Sequence, residues 1–246
     1  GILNTIRVLS YNIHHGAGMD GVTDLARIAN IIAAIAPDIV SLQEVDCGMP
    51  RTAKVDQLRE LAERTQMSGL FGCAIDRRED GQYGNAILAR FPVRQVGNYP
   101  LPGEPRAVLA AEVDLSSLYG IETTVLFMAT HLDTQSAHRT ASIPLIEAAL
   151  AAHSGQPAIL AGDFNAVPES PALAALGQTW TSTTADRELP TFPHEDYRQI
   201  DYILLHPAAR WRVVSVKMVD EKIASDHLPI FADLELLPDT TQTADA

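Results

Sequence analysis

The chain has 246 residues, 46% hydrophobic and 20% charged, a net charge of −13, and lysine only at Lys54, Lys217 and Lys222. That length can bury a full core in one domain, and the composition excludes a disordered chain. No apolar run reaches the length of a membrane-spanning helix, and the only adjacent arginines, Arg77-Arg78, make no basic stripe for a nucleic-acid backbone.

Ile6–Asn12 reads as a strand. Thr23–Ala36 reads as a helix capped by Thr23, with Leu25, Ile28, Ile32 and Ile35 at helical spacing and Pro37 as its stop. Asp38–Glu44 is a second buried strand. Lys54–Thr65 is an amphipathic helix with Leu58 and Leu61 turned inward. Strand-like stretches follow at Gly69–Ile75, Tyr83–Ala89, Val93–Tyr99, Arg106–Leu115 and Ile121–Thr130. Ser142–His153 reads as a helix with Pro144 in its first turn, where proline is tolerated. Ala158–Gly162 is a strand and Pro171–Leu176 a short helix. Ile200–Leu205, Trp211–Val219 and Pro229–Leu236 complete the strands. The helix-free middle run needs antiparallel pairing, so mixed sheets covered by helices are expected. Residues 1–237 are expected to form one domain, followed by a frayed polar tail over 238–246.

Cys47 and Cys73 are too few for a disulfide framework and read as two separate thiols. The chain begins at Gly1 rather than Met, so an upstream segment removed in the cell is one expectation. The compartment stays open between the cytoplasm and, after loss of a signal, secretion or the periplasm.

The strands carry unusual polar residues at their ends. Pro157–Ala161 runs into Gly162-Asp163-Phe164-Asn165, and in an extended segment Asp163 and Asn165 share one side. Ser10-Tyr11-Asn12, Leu42-Gln43-Glu44, Thr130-His131, Ile200-Asp201-Tyr202 and Ser225-Asp226-His227 repeat the theme. A carboxylate or imidazole at a half-buried strand end is costly unless paired or bound to metal. Convergence of these ends around a divalent cation is the economical answer. Asn12, Glu44, Asp163, Asn165, Asp201 and Asp226 form an oxygen-rich set that suits Mg²⁺, Mn²⁺ or Ca²⁺ better than Zn²⁺.

With these residues in place the chain resembles the endonuclease/exonuclease/phosphatase superfamily, the DNase-I-like metal-dependent phosphoesterases. The matching segments are Ser-Tyr-Asn-Ile (10–13), Leu-Gln-Glu-Val (42–45), Tyr-Gly-Asn-Ala-Ile-Leu (83–88), Thr-His-Leu (130–132), Gly-Asp-Phe-Asn (162–165), Ile-Asp-Tyr-Ile (200–203) and Ser-Asp-His-Leu-Pro (225–229). Their order matches the family's and they span almost the whole chain. The resemblance implies an α/β four-layer sandwich, two mixed β-sheets packed face to face with helices on the outer faces. It implies Glu44 as principal metal ligand with Asn12 and Asp226 nearby. It implies Asp163 orienting or deprotonating a water, Asn165 on the phosphate, His227 on the phosphoryl oxygen with Asp201 fixing its ring, and His131 at a second phosphate-facing position.

Asn85 and Arg106 are candidates for binding substrate, against the blander readings of a core amide and a solvated arginine. His14 and His15 follow Asn12 in a loop but match no catalytic position, so structural or substrate-side roles are expected. The Thr191-Phe192-Pro193 segment is a candidate for the substrate mouth, against the reading of an ordinary loop. The substrate expected is a small molecule or lipid head-group phosphoester, acted on by a monomer without strong nucleic-acid binding. A DNase-like endonuclease is the alternative, and a catalytically inactive binding module on the same fold the rival from another class.

Overall fold

The structure, a computed structural model, describes residues 4–153, 155–194 and 196–240. Of the tail expected to fray, residues 241–246 lie outside the described residues.

Among the described residues the strands are β1 (Thr5–Asn12), β2 (Ile39–Cys47), β3 (Ser68–Asp76), β4 (Gln82–Ala89), β5 (Val93–Leu101), β6 (Arg106–Asp114), β7 (Thr124–His131), β8 (Ala158–Asp163), β9 (Thr181–Ser182), β10 (Asp201–His206), β11 (Trp211–Met218) and β12 (Ile230–Leu236). The helices are α1 (Leu25–Ile35), α2 (Gln57–Thr65), α3 (Ser116–Tyr119), α4 (Ser136–Ala151) and α5 (Pro171–Leu176). Two mixed sheets form, ordered β11-β12-β1-β2-β4-β3 and β5-β6-β7-β8-β10-β9. Each has one parallel pair, β1 with β2 and β7 with β8, connected through α1 and α4.

Three apolar layers explain the sandwich. The inner faces of both sheets meet through Ile6, Val8, Ile39, Ile87, Leu109, Phe127, Ile159 and Ile203. Leu9, Tyr11, Val40 and Leu42 point the other way, onto α1 and α2. Val108, Leu126, Met128 and Leu160 of the second sheet meet Ile143, Ile146 and Leu150 of α4 and Leu176 of α5. Alternation with period two in strands covered on both sides therefore yields helix, sheet, sheet, helix. No described helix is long and apolar enough to cross a membrane. Cys47 and Cys73 are free thiols.

Three local expectations need correction. The cap of α1 is Asp24, not Thr23: its carboxylate accepts from the Arg27 amide at 3.0 Å, and Thr23 is engaged in a bridge with Ala17. Asp24→Ala is expected to cost about 1 kcal/mol, read as a fall in melting temperature. Helix α4 begins at Ser136, so Pro144 lies mid-helix rather than in the first turn. The helix tolerates a missing donor there, and Ser142 Oγ adds a bond to the His138 carbonyl at 2.9 Å. Strand β7 starts at Thr124 rather than Ile121, which is 73% exposed beyond the short helix α3.

Candidate functional site

The layer between the sheets is apolar along most of its length and polar at one end. In β1 the inward positions run Ile6, Val8, Ser10, Asn12; in β2, Ile39, Ser41, Gln43; in β7, Val125, Phe127, Ala129, His131; in β8, Ile159, Ala161, Asp163. Strand β10 runs antiparallel to β8 and pairs Asp201 with Asp163, so it contributes its first residue to the same end. Sequence order thus places the polar inward residues where both sheets open. Ser41 Oγ donates to the Ala161 carbonyl at 2.9 Å across the sheets just behind them, which fixes their separation.

Asp163 is the hub, 1% exposed. Its Oδ1 accepts from the Asn165 amide at 2.9 Å, and its Oδ2 accepts from Asn12 Nδ2 at 3.0 Å. The same oxygen lies 3.3 Å from His131 Nε2 and 3.4 Å from His227 Nε2. Burial alone would raise its pKa, but His227 and His131 overcome it and hold the carboxyl far below the usual range. Asp163 is therefore an anion at neutral pH.

His227 Nδ1 faces Asp201 Oδ2 at 2.8 Å. A carboxylate accepts only, so Nδ1 carries hydrogen and Nε2 is left for Asp163 and the cleft. Burial pushes the imidazole down, yet Asp201 and Asp163 win and raise it to about 10. Asp201, pushed up to about 6 by burial and by Asp163, stays ionised at neutral pH because His227 opposes that rise. Thr191 Oγ1 accepts from the Asp201 amide at 3.1 Å and seats the strand start.

Glu44 sits in a bulge, where the β2–β4 register shifts between Leu42 and Val45, at φ 55°. The bulge redirects its carboxylate toward the strand ends. Asn12 Nδ2 donates to Glu44 Oε2 at 2.5 Å as well as to Asp163, while Asn12 Oδ1 accepts from the His14 amide at 3.0 Å. Burial would lift the Glu44 carboxyl, but His131, the Asn12 amide and His227 leave it below its ordinary value. Asn165, at φ 48°, donates from Nδ2 to the Leu132 carbonyl at 2.7 Å. Ligand atoms of Glu44, Asp226 and His227 converge within 4.8 Å, as do those of Glu44, His131 and Asp163. This acidic and imidazole cluster could hold a divalent cation.

The cluster floors a cleft of about 360 Å³. Arg51, Arg77, Tyr83, Arg106 and Phe192 line its walls. Arg106 is 6% exposed, buried rather than solvated, near Glu104 Oε2 at 3.4 Å and the Leu132 carbonyl at 3.4 Å. Asn85 does not line the cleft: it is buried between the sheets, and its Nδ2 donates to the Ala107 carbonyl at 2.9 Å. The Phe192 ring lies tilted at 54° against that of His227, with centroids 5.0 Å apart.

Arg51 escaped the sequence reading. It forms a fork on Asp46, 2.8 and 2.7 Å, and lies over the Tyr83 ring. The signal present was weak: an arginine soon after the Leu-Gln-Glu-Val segment, with an acidic residue at 46 to fix it.

The family model for the endonuclease/exonuclease/phosphatase family matches residues 9–227. YbhP of Escherichia coli strain K12 is 25% identical over 94% of this chain and 97% of its own length. The solved endonuclease/exonuclease/phosphatase of Beutenbergia cavernae is 27% identical with a TM-score of 0.78, covering 95% of this chain and 72% of that one. The mannosyl-6-phosphatase Bt3783 of Bacteroides thetaiotaomicron shares the fold at 18% identity and a TM-score of 0.69, covering 93% of this chain and 99% of that one. With a family match over most of its length and the two-sheet sandwich to accompany it, this chain belongs to the endonuclease/exonuclease/phosphatase family, whose members are hydrolases of phosphoester bonds.

Proposed function

We propose that the protein is a Mg²⁺-dependent phosphoesterase that hydrolyses a small or lipid-derived phosphodiester or phosphomonoester by in-line attack of water. The observation that carries this reading is the meeting of Asp163 with two imidazoles on one carboxylate oxygen, beside Glu44 at the floor of a single cleft.

Asp163 orients the attacking water. Its depressed pKa makes it a weak base at the outset, and the water proton becomes transferable as the bond to phosphorus forms. His227, charged at neutral pH and held by Asp201, donates to the phosphoryl oxygen that gains negative charge. His131 and Asn165 flank the same oxygens, and Arg106 and Arg51 supply cations on the cleft wall.

The residues present fit a hard cation. Glu44 and Asp226 offer oxygens and no lysine lines the cleft, while Asn12 turns its Nδ2 rather than its oxygen toward Glu44 and Asp163. When bound, the ion neutralises charge developing on phosphorus oxygens and assists the leaving group.

A cleft of about 360 Å³ is small-ligand size. The net charge of −13 disfavours long nucleic acid, whose binding rests on many phosphate contacts. A solved protein of the same fold bears the name mannosyl-6-phosphatase, in keeping with a compact phosphate ester.

A screen across phosphodiesters, phosphomonoesters, sphingomyelin, inositol phosphates and DNA, with Mg²⁺, Mn²⁺ and Ca²⁺, tests the proposal. Turnover of a small phosphoester with Mg²⁺, lost on chelation and restored by adding it back, is expected. Efficient plasmid nicking at low enzyme concentration would move the substrate to DNA. Unchanged activity in both Glu44→Ala and His227→Ala would remove the enzyme reading altogether.

A further inference from the structure

We propose that His14, His15 and Glu44 form a second metal site, one that takes a transition-metal ion such as Co²⁺ or Zn²⁺ and shares Glu44 with the oxygen-rich site beside it. One ligand atom from each of the three lies within 4.8 Å of the other two. Donors around one such ion, each about 2 Å from it, sit at separations of that order or somewhat less.

The two rings are prepared for it by independent contacts. His14 Nδ1 lies 3.0 Å from the Ala17 carbonyl. A carbonyl only accepts, so Nδ1 carries the hydrogen and Nε2 keeps its lone pair. Histidines that hold metals are tethered in this way, by the nitrogen that does not face the ion. His15 Nδ1 is buried with no hydrogen-bond partner. A buried ring nitrogen left unpaired is costly, and an ion or its bound water satisfies it.

The backbone is held as well. His14 and His15 have φ values of 49° and 45°, and left-handed residues of this kind are strained and persist only where the surroundings enforce them. Here the enforcement is visible. Gln57, 1% exposed, donates to the His15 carbonyl at 2.9 Å and accepts from the Asp46 amide at 2.9 Å. One side chain of α2 thereby locks the histidine turn to β2, two residues beyond Glu44. Two adjacent imidazoles against one carboxylate distinguish this site from the neighbouring clusters, which pair one imidazole with two carboxylates: imidazole favours Zn²⁺ and its transition-metal relatives, and carboxylates favour Mg²⁺.

Metal binding alone tests the proposal, so its failure is separate from failure of the phosphoesterase reading. Chelator-stripped protein in excess Mg²⁺ is mixed with Co²⁺, and the visible absorption of the bound ion is followed. Wild type is expected to bind Co²⁺, and His14→Asn/His15→Asn to bind it at least tenfold more weakly. Asparagine suits the left-handed turn, and an unchanged melting temperature without metal shows that the fold survives. If the double variant does not fold, each single variant is read by the same tenfold criterion. Equal Co²⁺ affinity in a folded variant would locate the ion among His131, Asp163 and His227 and overturn the proposal, as would no Co²⁺ binding by wild type.

Discussion

Asp163→Asn is expected to lower kcat by about a thousandfold, within the range seen when a group that handles a reacting proton is lost. The substitution keeps the shape of the side chain and one acceptor oxygen. It removes the charge that faces His131 and His227 on Oδ2. The amide cannot accept from both Asn12 Nδ2 and the Asn165 amide as the carboxylate does, so one donor loses its partner at a cost of about 1–3 kcal/mol. A melting curve measures that structural cost separately from the chemistry. The pH profile supplies a second signature. In the wild type His227 is raised to about 10 by Asp201 and Asp163, so its imidazolium persists through neutrality and is lost only as pH rises through that value. Removing the Asp163 charge lowers the His227 pKa, and the alkaline limb of kcat moves to lower pH. A variant with kcat within tenfold of wild type and an unmoved alkaline limb would deny Asp163 its place at the reacting water.

The same pair of residues shows what could be read from sequence and what could not. Unusual polar residues at the ends of apolar strands marked one edge of the sheets as the site, and the ordered family segments attached roles to them. Asp163, His227 and Asp201 therefore emerge from sequence with sensible neighbours. Arg51 does not, because its place depends on a buried carboxylate at 46 and a ring at 83 that approach only when β2 and β4 pair. Asn85 fails in the opposite sense. Its strand and face are legible, but the partner it meets, the Ala107 carbonyl, belongs to the other sheet. The start of α4 was illegible for a local reason. Ser136 to Thr140 is polar and offers no side-chain cap, so Pro144 looked like an opening turn when it is an interior residue. The two-residue strand β9 is too short to carry any pattern. His14 and His15 read as loop histidines with structural or substrate-side roles, because the carbonyl at 17 that orients one ring and the carboxylate at 44 that both approach meet them only in the fold.

Gly162→Ala is expected to be among the most damaging single-methyl changes near the site. Gly162 pairs with Thr130 in the parallel β7–β8 ladder. A Cβ built there would stand 1.9 Å from the Thr130 carbonyl oxygen and 2.8 Å from its carbon. The obstacle is backbone in the centre of a sheet, so no side chain can swing aside. The strands must separate, and they carry His131 and Asp163 as the next pair along the ladder. Overpacking of a core costs about 1–3 kcal/mol when side chains can adjust. With a strand pair to displace, a loss at or beyond the upper end of that range, about 3 kcal/mol, is expected, read as the fall in unfolding free energy in urea. Activity should fall in the folded fraction too, because a few tenths of an ångström at the ladder changes the 3.3 Å approach of His131 to Asp163. Gly155→Ala is the control: that glycine has φ 90°, and an added Cβ meets nothing within 4 Å, so backbone strain alone should cost about 1 kcal/mol and leave kcat untouched. If Gly162→Ala were no more costly than Gly155→Ala, the close approach of β7 and β8 would not be what fixes glycine ahead of Asp163. The glycine that opens Gly-Asp-Phe-Asn therefore acts by letting two strands come close enough for a histidine on one and a carboxylate on the other to share a cleft.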